Sequence, residues 1–148
     1  MTKGQKLSAA IVFATNKHAG QFDRGGVPYI LHPLKVMHYL QLHREELQCI
    51  AVLHDVVEDT NATWDDLYEI GMSERIIQAV KVLTKMPGQS LDVYKGSILS
   101  NKDAIKVKMA DLRHNSDIRR LKGVTQKDID RTAKYHQFYV ELQAAQEI

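Results

Sequence analysis

From Leu7 the apolar residues Ile11, Val12 and Ala14 recur at helical spacing, and the pattern stops at Gly20, a residue suited to the left-handed position after a helix. The stretch from Gly20 to Pro28 holds three glycines and a proline within nine residues, so it is a loop able to approach a ligand closely. Pro33 fits the first turn of a second helix, where its missing N–H costs nothing; that helix should run to about Leu42, with His32 at its entrance. A third helix, starting near Glu45 and carrying Leu47, Ile50, Ala51, Leu53 and His54, is apolar on most of its faces and therefore buried; it should end near Glu58 and Asp59. Thr63 with Asp66 forms a capping-box pattern opening a short helix that Gly71 closes, and Ser73 caps another with Ile76, Ile77, Val80 and Leu83 at core spacing. Met86-Pro87-Gly88 breaks the chain. Helices are then expected over Leu91 to Ser100 and Asp103 to Arg120, and Thr125 caps a last one ending near Gln146. With no strand-like alternation and no repeat, the pattern predicts an all-α bundle of seven or eight helices.

A chain of 148 residues is long enough to bury a core without disulfide or metal staples, so one domain spanning 1–148 is the expectation. A net charge of +2 implies neither a nucleic-acid nor a membrane partner. The basic run Lys102, Lys106, Lys108, Arg113, Arg119, Arg120 and Lys122 suits a small phosphorylated ligand instead. The lone Cys49 lies among apolar residues and points to a reducing compartment. No apolar run approaches the ~20 residues needed to span a bilayer, and Met1 to Ala10 lacks the apolar stretch of a signal peptide, so a cytoplasmic location is expected.

The sharpest chemical signal is His54-Asp55. Adjacent residues on a helix point roughly 100° apart and can share one ion only if it sits near the helix surface. A neutral nitrogen with an anionic oxygen suits Mn²⁺, Fe²⁺ or Zn²⁺ better than thiolate-preferring metals. His32, before Pro33, and Asp111, on a later helix, would complete a set of two imidazoles and two carboxylates with positions left open. Glu58 and Asp59 lie four residues beyond His54 and Asp55 and project to the same side, where a carboxylate can act as general base or orient a nucleophile. Acids at a helix C-terminus oppose the macrodipole, which favours a chemical reason for the pair. Asn115 repeats the spacing from Asp111 and can reach a bound substrate, while His114 suits either the core or the support of a ligand.

Taken in order, His18-Ala19-Gly20-Gln21, Pro28-Tyr29-Ile30-Leu31-His32-Pro33, His54-Asp55-Val56-Val57-Glu58-Asp59-Thr60, Leu83-Thr84-Lys85 and Val107 through Asn115 resemble the HD-domain hydrolases of the RelA/SpoT type. The likeness runs from about Leu7 to Asn115. It implies an HD-type helical domain that removes the 3′-pyrophosphate from guanosine tetra- or pentaphosphate, usually with Mn²⁺. His32, His54, Asp55 and Asp111 match the family's metal ligands, and Glu58 and Asp59 its catalytic acids. One departure stands out: the family usually has two basic residues after the Gly-Gln turn, and here the positions read Asp23-Arg24 in a shortened loop. Arg24 can stack on a base or bind phosphate, and Lys85 and Lys108 are further phosphate candidates. Two other readings follow from the departure and from the residues: the same hydrolysis on another nucleotide, and a non-catalytic nucleotide-binding helical module. Oligomeric state is not legible.

Overall fold

The computed structural model describes residues 1–41 and 44–146. Among these, eight helices of six or more residues are joined by one single-turn helix and a 3-10 turn: α1 (Gln5–Lys17), α2 (Leu31–Tyr39), α3 (Glu45–Leu53), α4 (Val56–Asp59), α5 (Trp64–Glu69), α6 (Glu74–Leu83), α7 (Leu91–Leu99), α8 (Lys102–Asn115), the 3-10 turn Ile118–Arg120, and α9 (Gln126–Gln146). The one β feature in this part of the chain is an isolated bridge, Phe22 to Pro28, within the glycine-rich loop.

Helix α3 is the centre of the bundle because, apart from the partly exposed Glu45, Glu46 and Gln48, it has only apolar side chains to place: Leu47, Cys49, Ile50, Ala51, Val52 and Leu53 are all buried. Helices α1, α2, α6 and α8 pack around it. Helix α6 is one-sided, burying Ile76, Ile77, Ala79, Val80 and Leu83. Helix α9 lies along α8 and buries only Phe138 and Leu142, so its remaining surface is available to wall a cavity.

The capping box at Thr63 is present in full, with Thr63 Oγ1 accepting the Asp66 N–H at 3.2 Å and Asp66 Oδ2 accepting the Thr63 N–H at 2.9 Å. Replacing Thr63 with alanine leaves the Asp66 N–H without its partner, while the N–H of residue 63 keeps Asp66 Oδ2 as acceptor. The expected cost is about 1 kcal/mol, read as a lower urea midpoint at unchanged denaturant slope.

Three boundaries differ from the sequence expectation. Helix α2 begins at Leu31, so His32 and Pro33 both lie inside its first turn; the expected end at Leu42 falls outside the described residues. Helix α8 stops at Asn115 instead of continuing to Arg120, because the Asp117 side chain accepts the Arg119 N–H and starts a separate turn. Most consequential, the helix expected to run from Glu45 to Asp59 breaks at His54 and Asp55. The His54 ring nitrogen Nδ1 bonds to the Ala51 carbonyl at 2.6 Å, competing for an acceptor that would otherwise serve the helix ladder. Asp55 sits at φ −105°, ψ −2°, and α4 restarts with the Asp59 N–H on the Asp55 carbonyl at 2.9 Å.

Candidate metal centre and active site

The break at His54 and Asp55 gives two adjacent side chains one target. His54 Nε2 lies 3.0 Å from Asp55 Oδ2 and 3.1 Å from Asp111 Oδ1. His32, brought in by the first turn of α2, places Nε2 at 2.7 Å from Asp111 Oδ1 and 3.8 Å from Asp55 Oδ2. Four ligand atoms, one from each of His32, His54, Asp55 and Asp111, thus lie within 4.8 Å of one another. Three of these residues, His32, His54 and Asp111, are buried.

The hydrogen bonds at the two Nδ1 atoms orient the imidazoles so that each Nε2 faces the cluster. A proton on His54 Nδ1, donated to the Ala51 carbonyl, leaves Nε2 with its lone pair facing the cluster. His32 Nδ1 stands 2.7 Å from His114 Nδ1, with the two rings stacked. Burial and the nearby charge of Arg120 depress the His114 pKa to about 4, so a neutral His114 can accept the proton of His32 Nδ1 and free His32 Nε2 as well. Burial disfavours charge on His54, yet Asp55 and Asp111 outweigh it and raise its pKa well above the usual imidazole value. The cluster is a concentration of negative charge that calls for a cation.

Asp111 is fixed on both oxygens: Asn115 Nδ2 donates to Oδ1 at 3.1 Å, and Lys108 Nζ pairs with Oδ2 at 2.9 Å. The Tyr29 hydroxyl donates to Asp55 Oδ2, and burial next to that carboxylate drives the phenol pKa up, keeping it a donor. Asp55 also belongs to a second group, with Glu58 and Asp59, whose carboxylate oxygens lie within 4.8 Å of one another. Partial desolvation raises the Glu58 carboxyl; the Lys85 backbone N–H, donating to Oε1 at 2.6 Å, opposes this, and the charges of Asp55 and Asp59 add to the rise. Asp59 is raised in the same way, by desolvation and by Asp55. His18 and Gln21 support it from behind: His18 Nδ1 meets Gln21 Oε1 at 2.8 Å, and Gln21 Nε2 donates to the Asp59 carbonyl at 2.9 Å.

A cavity of about 570 Å³ opens beside this second group, floored by Glu58, Asp59 and Asn115 and walled by Arg24, Arg120 and, from α9, Tyr135. Of the expected phosphate contacts, Arg24 and Asn115 line this cavity and two others do not. Lys85 takes part through its main-chain N–H on Glu58, and Lys108 is held by Asp111 between the rings of Tyr94 and Phe138. The sequence reading missed the role of Tyr29 and anticipated those of His114 and Arg120 only in part. Tyr29 sits inside the quoted Pro-Tyr motif, but nothing local ties its hydroxyl to Asp55. His114 is adjacent to the ligand helix positions, and only the packing of α2 on α8 sets it against His32. Arg120 reads in the sequence as one cation of a basic helix, whereas the helix ends before it.

No family model matches the chain. Among curated proteins it is 33% identical over 135 residues to the GTP pyrophosphokinase rsh of Brucella ovis, covering 82% of this chain and 18% of that protein. It is 36% identical over 116 residues to the guanosine-3′,5′-bis(diphosphate) 3′-pyrophosphohydrolase of Haemophilus influenzae, covering 70% of this chain and 17% of that protein. The chain therefore spans less than a fifth of the length of these relatives. The fold matches a solved structure of a metazoan orthologue of SpoT, described as hydrolysing ppGpp and acting in starvation responses, at a TM-score of 0.76 and 22% identity, over 99% of this chain and 94% of that one.

An all-helical bundle that gathers a histidine, a His-Asp pair and a distant aspartate around one point is the HD-type domain. Within that class the chain is similar to one segment of the RelA/SpoT-type proteins.

Proposed function

We propose that this chain is a metal-dependent hydrolase that removes the 3′-pyrophosphate of guanosine tetra- or pentaphosphate, releasing GDP or GTP and pyrophosphate, and that residues 1–148 act as a single HD domain. The observation that carries this reading is that Asp55 belongs to both clusters, so an ion held by His32, His54, Asp55 and Asp111 would have Glu58 and Asp59 as immediate neighbours.

The donor set fits an ion. Ligand atoms about 2.1 Å from a cation and at right angles to each other are about 3 Å apart, close to the spacings of 2.7, 3.0 and 3.1 Å found here. Two imidazoles and two carboxylates without thiolate suit Mn²⁺, Fe²⁺ or Zn²⁺, and of these the family resemblance favours Mn²⁺. Such an ion would supply Lewis-acid polarisation of a phosphoryl oxygen and activation of water. The protein's own residues do the rest. Glu58, held by the Lys85 N–H, and Asp59, held through Gln21, face the cavity with carboxyls raised toward neutral pH, as a general base requires. Asn115 presents its amide at the cavity floor between the Asp111 cluster and the substrate space. The same reading places the protein in the cytoplasm, where the free and buried Cys49 would stay reduced; burial pushes its thiol up to about 12.

Asp23 keeps a second reading in view: hydrolysis of another nucleotide at the same centre. Its carboxylate stands in the cavity wall where an anionic substrate would meet it. Incubating the purified protein and Mn²⁺ with a nucleotide panel separates the two. The expected result is pyrophosphate release from guanosine tetraphosphate; release of inorganic phosphate, with preference for a nucleoside monophosphate, would replace the first reading by the second.

A further inference from the structure

One wall of the cavity is made by an ion pair that no part of the chemistry above requires. Arg120 Nη2 lies 3.3 Å from Asp23 Oδ2, joining the 3-10 turn after α8 to the glycine-rich loop before α2. Its Nη1 donates to Asn115 Oδ1 and to the His114 carbonyl, each at 3.2 Å. Because Asn115 also donates to Asp111, the Arg120 guanidinium is set one amide away from the metal-ligand cluster. The loop and the turn touch at backbone level, since a Cβ on Gly25 would come within 2.3 Å of the Arg120 carbonyl oxygen. The position of this cation is therefore built into the fold.

The pair is also exchangeable. It borders a second cavity of about 620 Å³ on the side of Leu31, Lys35 and His38, so solvent reaches it from two directions. The side chains of Arg120 and Asp23 are 22% and 12% exposed, and their contact is single and long. Such an ion pair is weak, whereas a guanidinium meeting a phosphate group with two parallel hydrogen bonds is among the strong polar contacts. The other cations of the wall are less well placed: Arg131 is engaged by Asp128 on its own helix, and Arg24 is exposed at the loop.

We infer that Arg120 binds the phosphate group remote from the scissile one, and that Asp23 is the internal anion this group must displace. The pair then acts as a selector for nucleotides phosphorylated at two positions. The assignment of which phosphate is scissile rests on the function proposed above.

GDP carries the remote diphosphate and nothing to hydrolyse, so its binding tests the inference apart from turnover. With Mn²⁺-supplemented protein, calorimetric affinity for GDP relative to guanosine should fall about tenfold to a hundredfold in Arg120→Ala. Arg120→Lys should fall between, because a point charge cannot form the bidentate contact. Asp23→Asn, which keeps the acceptor used by the Val27 N–H at 3.1 Å, should bind GDP several-fold more tightly. Opposite signs from the two ends of one ion pair separate a ligand contact from a structural tie. Equal weakening in Arg120→Ala and Asp23→Asn, unchanged affinity in a folded Arg120→Ala, or no preference of the wild type for GDP over guanosine would each overturn the inference. Hydrolysis of guanosine tetraphosphate with unaltered GDP binding in Arg120→Ala leaves the proposed function standing and removes only the selector. The reverse pattern removes the function and keeps the selector.

Discussion

Asp55→Ala is expected to lose bound Mn²⁺ and, with it, hydrolysis by at least about a thousandfold. The reasoning starts from position: Asp55 Oδ2 is 3.0 Å from His54 Nε2 and 3.8 Å from His32 Nε2, and it is the residue common to the two acidic clusters. Removing it takes away an anionic ligand and uncouples the cation from Glu58 and Asp59. A metal acting as Lewis acid contributes several kcal/mol to transition-state stabilisation, and about 4 kcal/mol is already a thousandfold in rate. The Tyr29 hydroxyl also loses its acceptor, so Asp55→Asn serves as the companion variant, retaining a carbonyl for Tyr29 while deleting the charge. Asp55→Asn preserves the size of the side chain and should fold, although both variants give up the charged contact with His54. Metal content measured on the dialysed protein and product formation should fall together. Wild-type turnover from a metal-free Asp55→Ala sample would sink the metal assignment.

Glu58→Gln is expected to separate the two losses, keeping the ion and losing turnover by about a hundredfold to ten-thousandfold, the range typical of a missing general base. Glu58 is absent from the four-residue ligand group, and a glutamine carbonyl can still accept the Lys85 N–H, so the pocket floor should hold its shape. A stability change with definite sign accompanies this. The folded-state carboxyl pKa of Glu58 is raised, so the ionised group opposes folding at neutral pH, and that opposition fades as pH falls through the raised value. The metal-free Glu58→Gln protein should therefore melt no lower than wild type at pH 7. A variant that loses Mn²⁺ along with activity would make Glu58 a ligand and overturn its role as base.

The elements set by local chemistry are readable without coordinates. Thr63 with Asp66, Ser73 and Thr125 each open a helix where their side chains satisfy first-turn N–H groups, and Gly71, with φ +92°, ends one where a left-handed residue is needed. The burial of α3 follows from its composition, because a helix apolar on most of its faces has no other stable place. The residues His32, His54, Asp55 and Asp111 can be named from residue type and motif order before any distance is known. What local chemistry misreads is also specific. Unbroken helix propensity from Glu45 to Asp59 conceals the break at His54, which depends on the His54 ring taking the Ala51 carbonyl. Lys108 looks like a free phosphate contact until Asp111, three residues on in the same helix, and the Phe138 ring of α9 enclose it.

The sequence by itself determined the helical class, the caps that bound several helices, the central buried helix and the identity of the metal-competent side chains, because each depends on periodicity, residue chemistry or neighbours within a few positions. Only the tertiary structure decided that α2 and α8 bring His114 against His32, that Tyr29 caps Asp55, and that Arg120 leaves the helix to face Asp23 across 97 positions of chain. These are contacts between segments far apart in sequence, and their geometry is set by how buried helices pack against one another, which no local pattern encodes.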